Sequence, residues 1–204
     1  MALLQLVVEG HGEQAASQLL IRRILHERLE DYASAVLRPQ RRTSIPALLS
    51  RNGEALLRYQ RVAELDGDSV LWLLDHDDGC PLDSLREAYE IFRQEGVAKP
   101  TAIAFLCREY ESLFLEDANC CESYYKVPAG LFHEGRLARD AKGHISKTLP
   151  RGTTYKPTVD QAPLTARLDL VRLQAVSRSY RHLEATLRWL CSDSAMGLYP
   201  ITVP

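Results

Sequence analysis

Two short stretches of this 204-residue chain hold carboxylates at a spacing that suits metal chemistry. In "LVVEGHGE", Glu9 follows an apolar run and Glu13 comes one helical turn later; in "VLWLLDHDDGC", Asp75, Asp77 and Asp78 follow another. Like charges about 4 Å apart repel by roughly 4 kcal/mol at an effective dielectric near 20, so such acids need a partner or open water. A hard cation such as Mg²⁺ (or Mn²⁺) takes oxygen ligands and keeps several waters, so a few carboxylates suffice to hold it. Two such ions would clamp the attacking and leaving oxygens of a phosphoryl reaction. A carboxylate left off the metal, Glu9 by its position, would move a proton as general acid or base. Glu109 and Glu111 close a third apolar run, and the sequence does not separate them as ligands. Helix capping competes as an explanation for Asp75 to Asp78 and for Glu13, since a helix N-terminus favours negative charge by about 0.3–1 kcal/mol. Glu9, at the tip of a strand, has no such task.

Charge is distributed unevenly around these acids. Residues 61 to 122 hold fifteen Asp and Glu against five Lys and Arg, while residues 136 to 156 hold six bases against one acid. Lys142, Lys147, Arg151 and Lys156 in the second segment are candidates to contact phosphates, positioning a nucleic acid without reading its sequence. Lys156 is the preferred single base, and "LRPQRR" adds Arg38, Arg41 and Arg42. A solvated loop is the plain alternative for the lysines. "GHGEQA" also fits a dinucleotide-loop pattern, but Glu9 lies where the anion would sit, and the acid expected about 20 residues on is missing. His26, His133, His144 and His182 show no ligand spacing, and there is neither a GxSxG elbow nor a GxxxxGK[ST] loop. His11 and His76 lie beside the acids as neighbours. Cys80, Cys107, Cys120, Cys121 and Cys191 form no CxxC pair, and their odd count together with the lack of an export signal favours a reducing cytoplasm. The adjacent Cys120 and Cys121 read as ordinary half-buried residues, with a redox feature as the alternative.

The elements that must position the acids alternate. Leu3–Val8 reads as a strand rather than a signal peptide, and a helix follows with Ala15, Leu19 and Leu25 at helical spacing. "ASAVLRP" is a second strand stopped by Pro39, and a continuous helix runs from about Pro46 to Arg61. Val70–Asp75 is the third strand, Pro81 to Gln94 a helix ended by Gly96, "TAIAFLCRE" the fourth strand and "YESLFLED" a short helix. Along an extended strand Asp75 and Asp77 share a side and His76 points away. Residues 118 to 160 read as a long functional loop or insertion, and 163 to 191 as two helices divided near Ser177–Ser179. Strand and helix in alternation predict an α/β fold: a four-stranded, mainly parallel sheet with helices on both faces and a C-terminal helical extension. In such a sheet ligands gather at the carboxyl edge of the strands, where these acids are. At 46% hydrophobic and 25% charged the composition is that of a globular domain, and the apolar runs are too short for a membrane span.

At "VVEGHGE" and "LLDHDD" the chain resembles the Toprim fold shared by topoisomerases, bacterial primases and the overcoming-lysogenization-defect nucleases. Within that superfamily it looks most like a Toprim-related family of unknown function found beside ATPases in bacterial defence loci. "IAFLCREYESLFLED", "YKPTVDQAPLTARLDL" and "SRSYRHLEATLRWL" extend the likeness over nearly the whole chain. The resemblance implies a catalytic core over residues 1–117, with 118–204 as a loop insertion and C-terminal helices on the same domain. It implies Glu9, Asp75 and Asp77 as catalytic residues around Mg²⁺, with Glu13 and Glu111 as candidates for a second ion or for support. It departs at His11, where a smaller or polar residue is commoner, and at Asp78, which extends the DxD. The implied activity, by superfamily analogy, is Mg²⁺-dependent cleavage of phosphodiester bonds in DNA or RNA. The protein would be the cytoplasmic effector of a defence system working with a separate ABC- or AAA-type ATPase. A non-catalytic binding or sensor subunit of that ATPase complex is the competing expectation. Whether one or two ions bind, and whether the chain forms a homo-oligomer, stay open.

Overall fold

The computed structural model describes residues 2–10, 12–132 and 140–201. The fold is α/β, an arrangement consistent with a Toprim-like fold. Among the described residues its sheet is parallel and has five strands: β1 (Leu3–Val8), β2 (Ala35–Val36), β3 (Gln40–Arg41), β4 (Ser69–Asp75) and β5 (Thr101–Leu106). The order is β2-β1-β4-β5, with β3 also on β1. Every residue of β4 and β5 is buried, which is why both read as continuous apolar runs: a parallel strand covered on both faces has no polar side to show.

The expected second strand becomes two. Pro39 lacks an N–H and interrupts the ladder, but pairing does not stop there, because Gln40 and Arg41 rejoin β1 opposite Val7 and Val8. The gap is held by α1 (Glu13–Arg23), which runs into a π-helical turn at Ile24–Arg28. From α1, Gln14 donates to the Pro39 carbonyl, Gln18 to those of Val36 and Leu37, and Arg22 to that of Val36. On the far side, Gly197 and Tyr199 of the C-terminal tail hydrogen-bond to both backbone groups of Thr101 at the start of β5.

Two helices cover one face, α2 (Ile45–Asp66) and α3 (Pro81–Glu95), around Trp72, Leu74, Tyr89, Phe92, Ile103 and Phe105. The indole N–H of Trp72 donates to Gln60, whose amide in turn reaches Thr101 and Glu64, so this apolar layer keeps its one ring N–H satisfied. The predicted continuous helix is broken at residues 50 to 53. Ser50 is extended and Arg51, Asn52 and Gly53 are left-handed. Gly53, at φ +74, leaves no room for a Cβ, which would fall 2.6 Å from Ile91 Cδ1.

The opposite face carries α1 and six later helices: α4 (Ser112–Glu116), α5 (Ala118–Tyr125), α6 (Ala141–Thr148), α7 (Pro157–Thr165), α8 (Leu170–Val176) and α9 (Arg178–Leu190). One apolar cluster runs from Leu4, Leu6 and Val8 through Leu71, Leu73 and Leu106 to Ile145, Leu164, Leu173 and Leu187. Within the stretch 118–160, where a loop or insertion is expected, α5, α6 and the start of α7 are helical. Helices of eight or nine residues span little more than two turns, too few to show a 3.6-residue period. Three helices, not two, follow Tyr155, with Pro163 inside α7 rather than opening it. The division at Ser177 is as expected: its hydroxyl accepts from Tyr180 N–H and caps α9. The fourth strand ends at Leu106, short of Glu109. Cys107 N–H turns to Ser179 Oγ, and Arg108 and Glu109 N–H turn to Ser112 Oγ, leaving the sheet.

Candidate functional site

Because the strands run parallel, β1, β4 and β5 deliver their following residues to one edge. Asp75 is the last residue of β4 and Glu9 follows β1 directly. Alternation along β4 places Leu71 and Leu73 with the cluster under α1 and α4–α9, and Trp72 and Leu74 with that under α2 and α3. Asp75 thus falls on the first face and His76 on the second. His76 packs edge-on against Phe105, its Nε2 lies 3.0 Å from Ser84 Oγ, and burial holds its imidazole below the usual value. It lines a cleft of about 340 Å³ with Ile45, Leu49, Ser84 and Glu87, on the side away from Asp75.

The loop after β1 closes on itself. The Glu13 carboxylate accepts from the backbone N–H of Gly10 at 3.0 Å and of Glu9 at 3.3 Å. Two amides of this loop, those of Glu9 and Gly10, are thus taken by the chain's own side chain. Gly12 belongs to this turn for a different reason. A Cβ there would lie 2.5 Å from Gln161 Oε1 and 2.8 Å from the Pro157 carbonyl, so the residue lets α7 approach α1. His11 lies outside the described residues.

The centre of the cluster is a pair of buried acids, Asp75 and Glu111, 8% and 0% exposed. Lys142, from the first turn of α6, places its ammonium 3.6 Å from Glu111 Oε2 and 4.0 Å from Asp75 Oδ2. These are ion-pair distances and too long for hydrogen bonds. Glu111 Oε1 accepts from the Tyr155 hydroxyl at 2.6 Å and from Gln161 Nε2 at 3.3 Å. Its Oε2, like Asp75 Oδ1, is buried without a hydrogen-bond partner. Glu109 does something else: its carboxylate accepts from the Lys142 backbone N–H at 3.2 Å and so anchors the start of α6. The two glutamates that sequence leaves equivalent are separated by geometry, with Glu111 inside the cluster.

The electrostatics follow from crowding. Burial, then the charge of Glu13, pushes Asp75 well above the carboxylate range, with Glu111 and Glu9 adding and Lys142 opposing. Burial also raises Glu111, against the pull of Lys142 and the Tyr155 hydroxyl. Glu9, partly buried, is raised to about 7 by burial, Glu13 and Asp77, with Lys142 again opposing. The ammonium of Lys142 loses hydration, but Glu111, Asp75, Glu109 and Glu13 together hold its pKa above the usual value. One cation therefore answers to several acids.

Of the remaining expected residues, Asp77 is exposed and acts on Glu9 through its charge. Lys147 is exposed and lies 3.7 Å from Asp140; Arg151 and Lys156 are also exposed. The backbone N–H of Lys156 donates to Asp160 at the start of α7. The base brought among the acids is thus Lys142, rather than the preferred Lys156. Arg41 donates from Nε to the Glu9 carbonyl at 3.1 Å, and Arg108 reaches Asp78 at 4.0 Å. Tyr155 and Gln161 were not anticipated; a tyrosine or glutamine in a polar segment carries no spacing signal, and only the packing of α7 against α1 brings them in. All five cysteines are free, and Cys120 and Cys121 are buried.

Among the described residues no three His, Cys, Asp or Glu side chains are grouped tightly enough to hold a metal ion as they stand. The donor chemistry nevertheless fits a hard divalent cation: two buried carboxylates, each with an orphaned oxygen, share one monovalent charge. Among the described residues no helix is long and apolar enough to cross a membrane. Residues 8–188 match the family model described as a domain of unknown function (DUF4276), and the chain belongs to that family. No curated protein and no solved structure matches the chain significantly.

Proposed function

We propose that this member of the DUF4276 family is a Mg²⁺- or Mn²⁺-dependent nuclease of Toprim type, hydrolysing phosphodiester bonds in DNA or RNA. The observation that carries the reading is the buried pair Asp75 and Glu111, each with an oxygen that no hydrogen bond satisfies, at the carboxyl edge of a parallel sheet. Leaving a buried acceptor unmet costs about 1–3 kcal/mol, more if charged, so its retention points to a ligand. Asp75 and Glu111 would hold the cation; the charges of Glu13 and Glu9 reach Asp75, and that of Asp77 reaches Glu9. When bound, the ion supplies Lewis-acid polarisation of a phosphoryl oxygen.

The chain's own residues account for the rest. Glu9, at about 7, exchanges a proton near neutral pH and suits a general acid or base. Tyr155 and Gln161 fix the Glu111 carboxylate from behind, the kind of support on which ligand orientation depends. Lys142, Arg41 and Arg108 are the bases at this edge for phosphate oxygens. The setting we assign, a cytoplasmic defence effector with a separate ATPase, rests on the resemblance alone.

The test is cleavage of plasmid DNA and of structured RNA with Mg²⁺ or Mn²⁺. Asp75→Asn and Glu111→Gln should each lose about a hundredfold or more in rate, the scale of several kcal/mol, with unchanged far-UV circular dichroism. Full metal-dependent cleavage by Asp75→Asn would end the proposal. The lysine between the acids also suits a second reading, a non-catalytic subunit that binds an ATPase and whose acids are neutralised internally. Capture of such a partner by a chain that binds no Mn²⁺ would select it.

A further inference from the structure

We propose that Lys142 is the resident cation of this site and that a divalent ion binds by exchange with it, taking the seat between Asp75 and Glu111 as the lysine swings out. The inference rests on the metal-site reading above and adds what the chain itself must give up. Three observations carry it. The ammonium lies between the two buried carboxylates at 3.6 and 4.0 Å but hydrogen-bonds to neither, and one oxygen of each acid stays orphaned. A structural ion pair at this depth would make charge-assisted bonds of about 2.7–2.9 Å. Next, the Lys142 side chain is 39% exposed whereas its partners are buried, so solvent reaches the lysine side of the cluster. Last, the residue is anchored independently of its ammonium, by its backbone N–H on Glu109 Oε2. The flexible four-carbon stem can therefore leave while α6 stays in place.

Exchange makes a charge argument with a definite sign. With the lysine present, an incoming ion must displace one positive charge from two acids; with a neutral side chain there, it meets both acids uncompensated. Removing the lysine should then tighten metal binding, the reverse of what loss of a supporting residue does. The experiment is calorimetric titration of Mn²⁺ into the full chain, for the native protein, Lys142→Met and Lys142→Arg. Lys142→Met should bind Mn²⁺ about tenfold more tightly than the native protein, or about 1.4 kcal/mol, and Lys142→Arg no more tightly than the native protein. In parallel, the native chain with its five lysines carrying ¹³C-methyl groups should show the Lys142 resonance moving to the position of a solvated lysine as Mg²⁺ is added. That measurement decides the matter if Lys142→Met does not fold. Native binding of Mn²⁺ with equal or weaker binding by Lys142→Met, or with an unmoved Lys142 resonance, overturns the exchange and leaves the metal site standing. No Mn²⁺ binding by either protein overturns both.

Discussion

Tyr155→Phe removes one hydroxyl and keeps the ring, which isolates a single bond of the site. That hydroxyl donates to Glu111 Oε1 at 2.6 Å, and Glu111 is fully buried, so the bond is not replaced from bulk solvent. The other donor to the same oxygen, Gln161 Nε2, stands at 3.3 Å. A hydrogen bond to a charged group contributes about 1.5–3 kcal/mol and one between neutral groups about 0.5–1.5 kcal/mol. The loss therefore depends on how far Glu111 is ionised. Burial raises its pKa above the usual 4.5, while Lys142 and the Tyr155 hydroxyl pull it down. Where the carboxyl is protonated the substitution should cost about 1 kcal/mol, and the cost should grow to about 2–3 kcal/mol as pH rises and the carboxyl ionises. The sign is fixed by linkage. Without the hydroxyl the carboxylate form loses a stabiliser, the folded-state pKa rises further, and the folded chain binds more protons than the unfolded chain over a wider range. Stability then falls more steeply as pH rises. Urea unfolding of both proteins over a series of pH values, without divalent ions, reads this as a midpoint shift at constant slope. A cost below about 0.5 kcal/mol at every pH, or one that does not grow as pH rises, would refute the role given to Tyr155.

Two further outcomes follow from the same geometry. Glu9, Asp75 and Glu111 all have folded-state pKa values above their unfolded ones. Their contribution to stability is thus fully present below the unfolded values, 3.8 for Asp75 and 4.5 for the two glutamates, and is lost as pH rises, for Glu9 through about 7. Melting temperature without metal should fall across that window and flatten when Mg²⁺ is added, and a rise across it would refute the assignment. Gly12→Ala brings a methyl within 2.5 Å of Gln161 Oε1 and 2.8 Å of the Pro157 carbonyl. It should cost about 1–3 kcal/mol in urea unfolding, and an unchanged midpoint would mean that α1 and α7 approach less closely than described.

What was legible in the sequence is what depends on runs and turns. Leu3–Val8, Val70–Asp75 and the helix closed by Gly96 announce themselves through continuous burial, a breaker at each end and a period long enough to read. Glu9, Asp75 and Glu111 could be placed at one edge because parallel strands put their ends there. Lys142 was among the bases expected, yet nothing local marks it out from Lys147 or Lys156. Its selection is a tertiary event, made when the Glu109 carboxylate catches its backbone N–H. The break in α2 has a local signal that the helical reading passed over: Asn52-Gly53 is a turn dipeptide whose residues tolerate the left-handed region, and only Arg51 carries no such signature. Pro39 was read as a stop, whereas a proline at a sheet edge can interrupt a strand and let it resume.

Glu111 belongs to the part of the chain that ends with α4, while Tyr155, Gln161 and Lys142, the groups that make its burial tolerable, come after it. A fragment cut off after α4 would strand an acid in an apolar interior with nothing to answer it. The centre is in that sense shared property of the segments before and after the end of α4, and neither can be borrowed alone as a minimal module. Any shortened or fused form that is to keep this chemistry must carry the later helices with it.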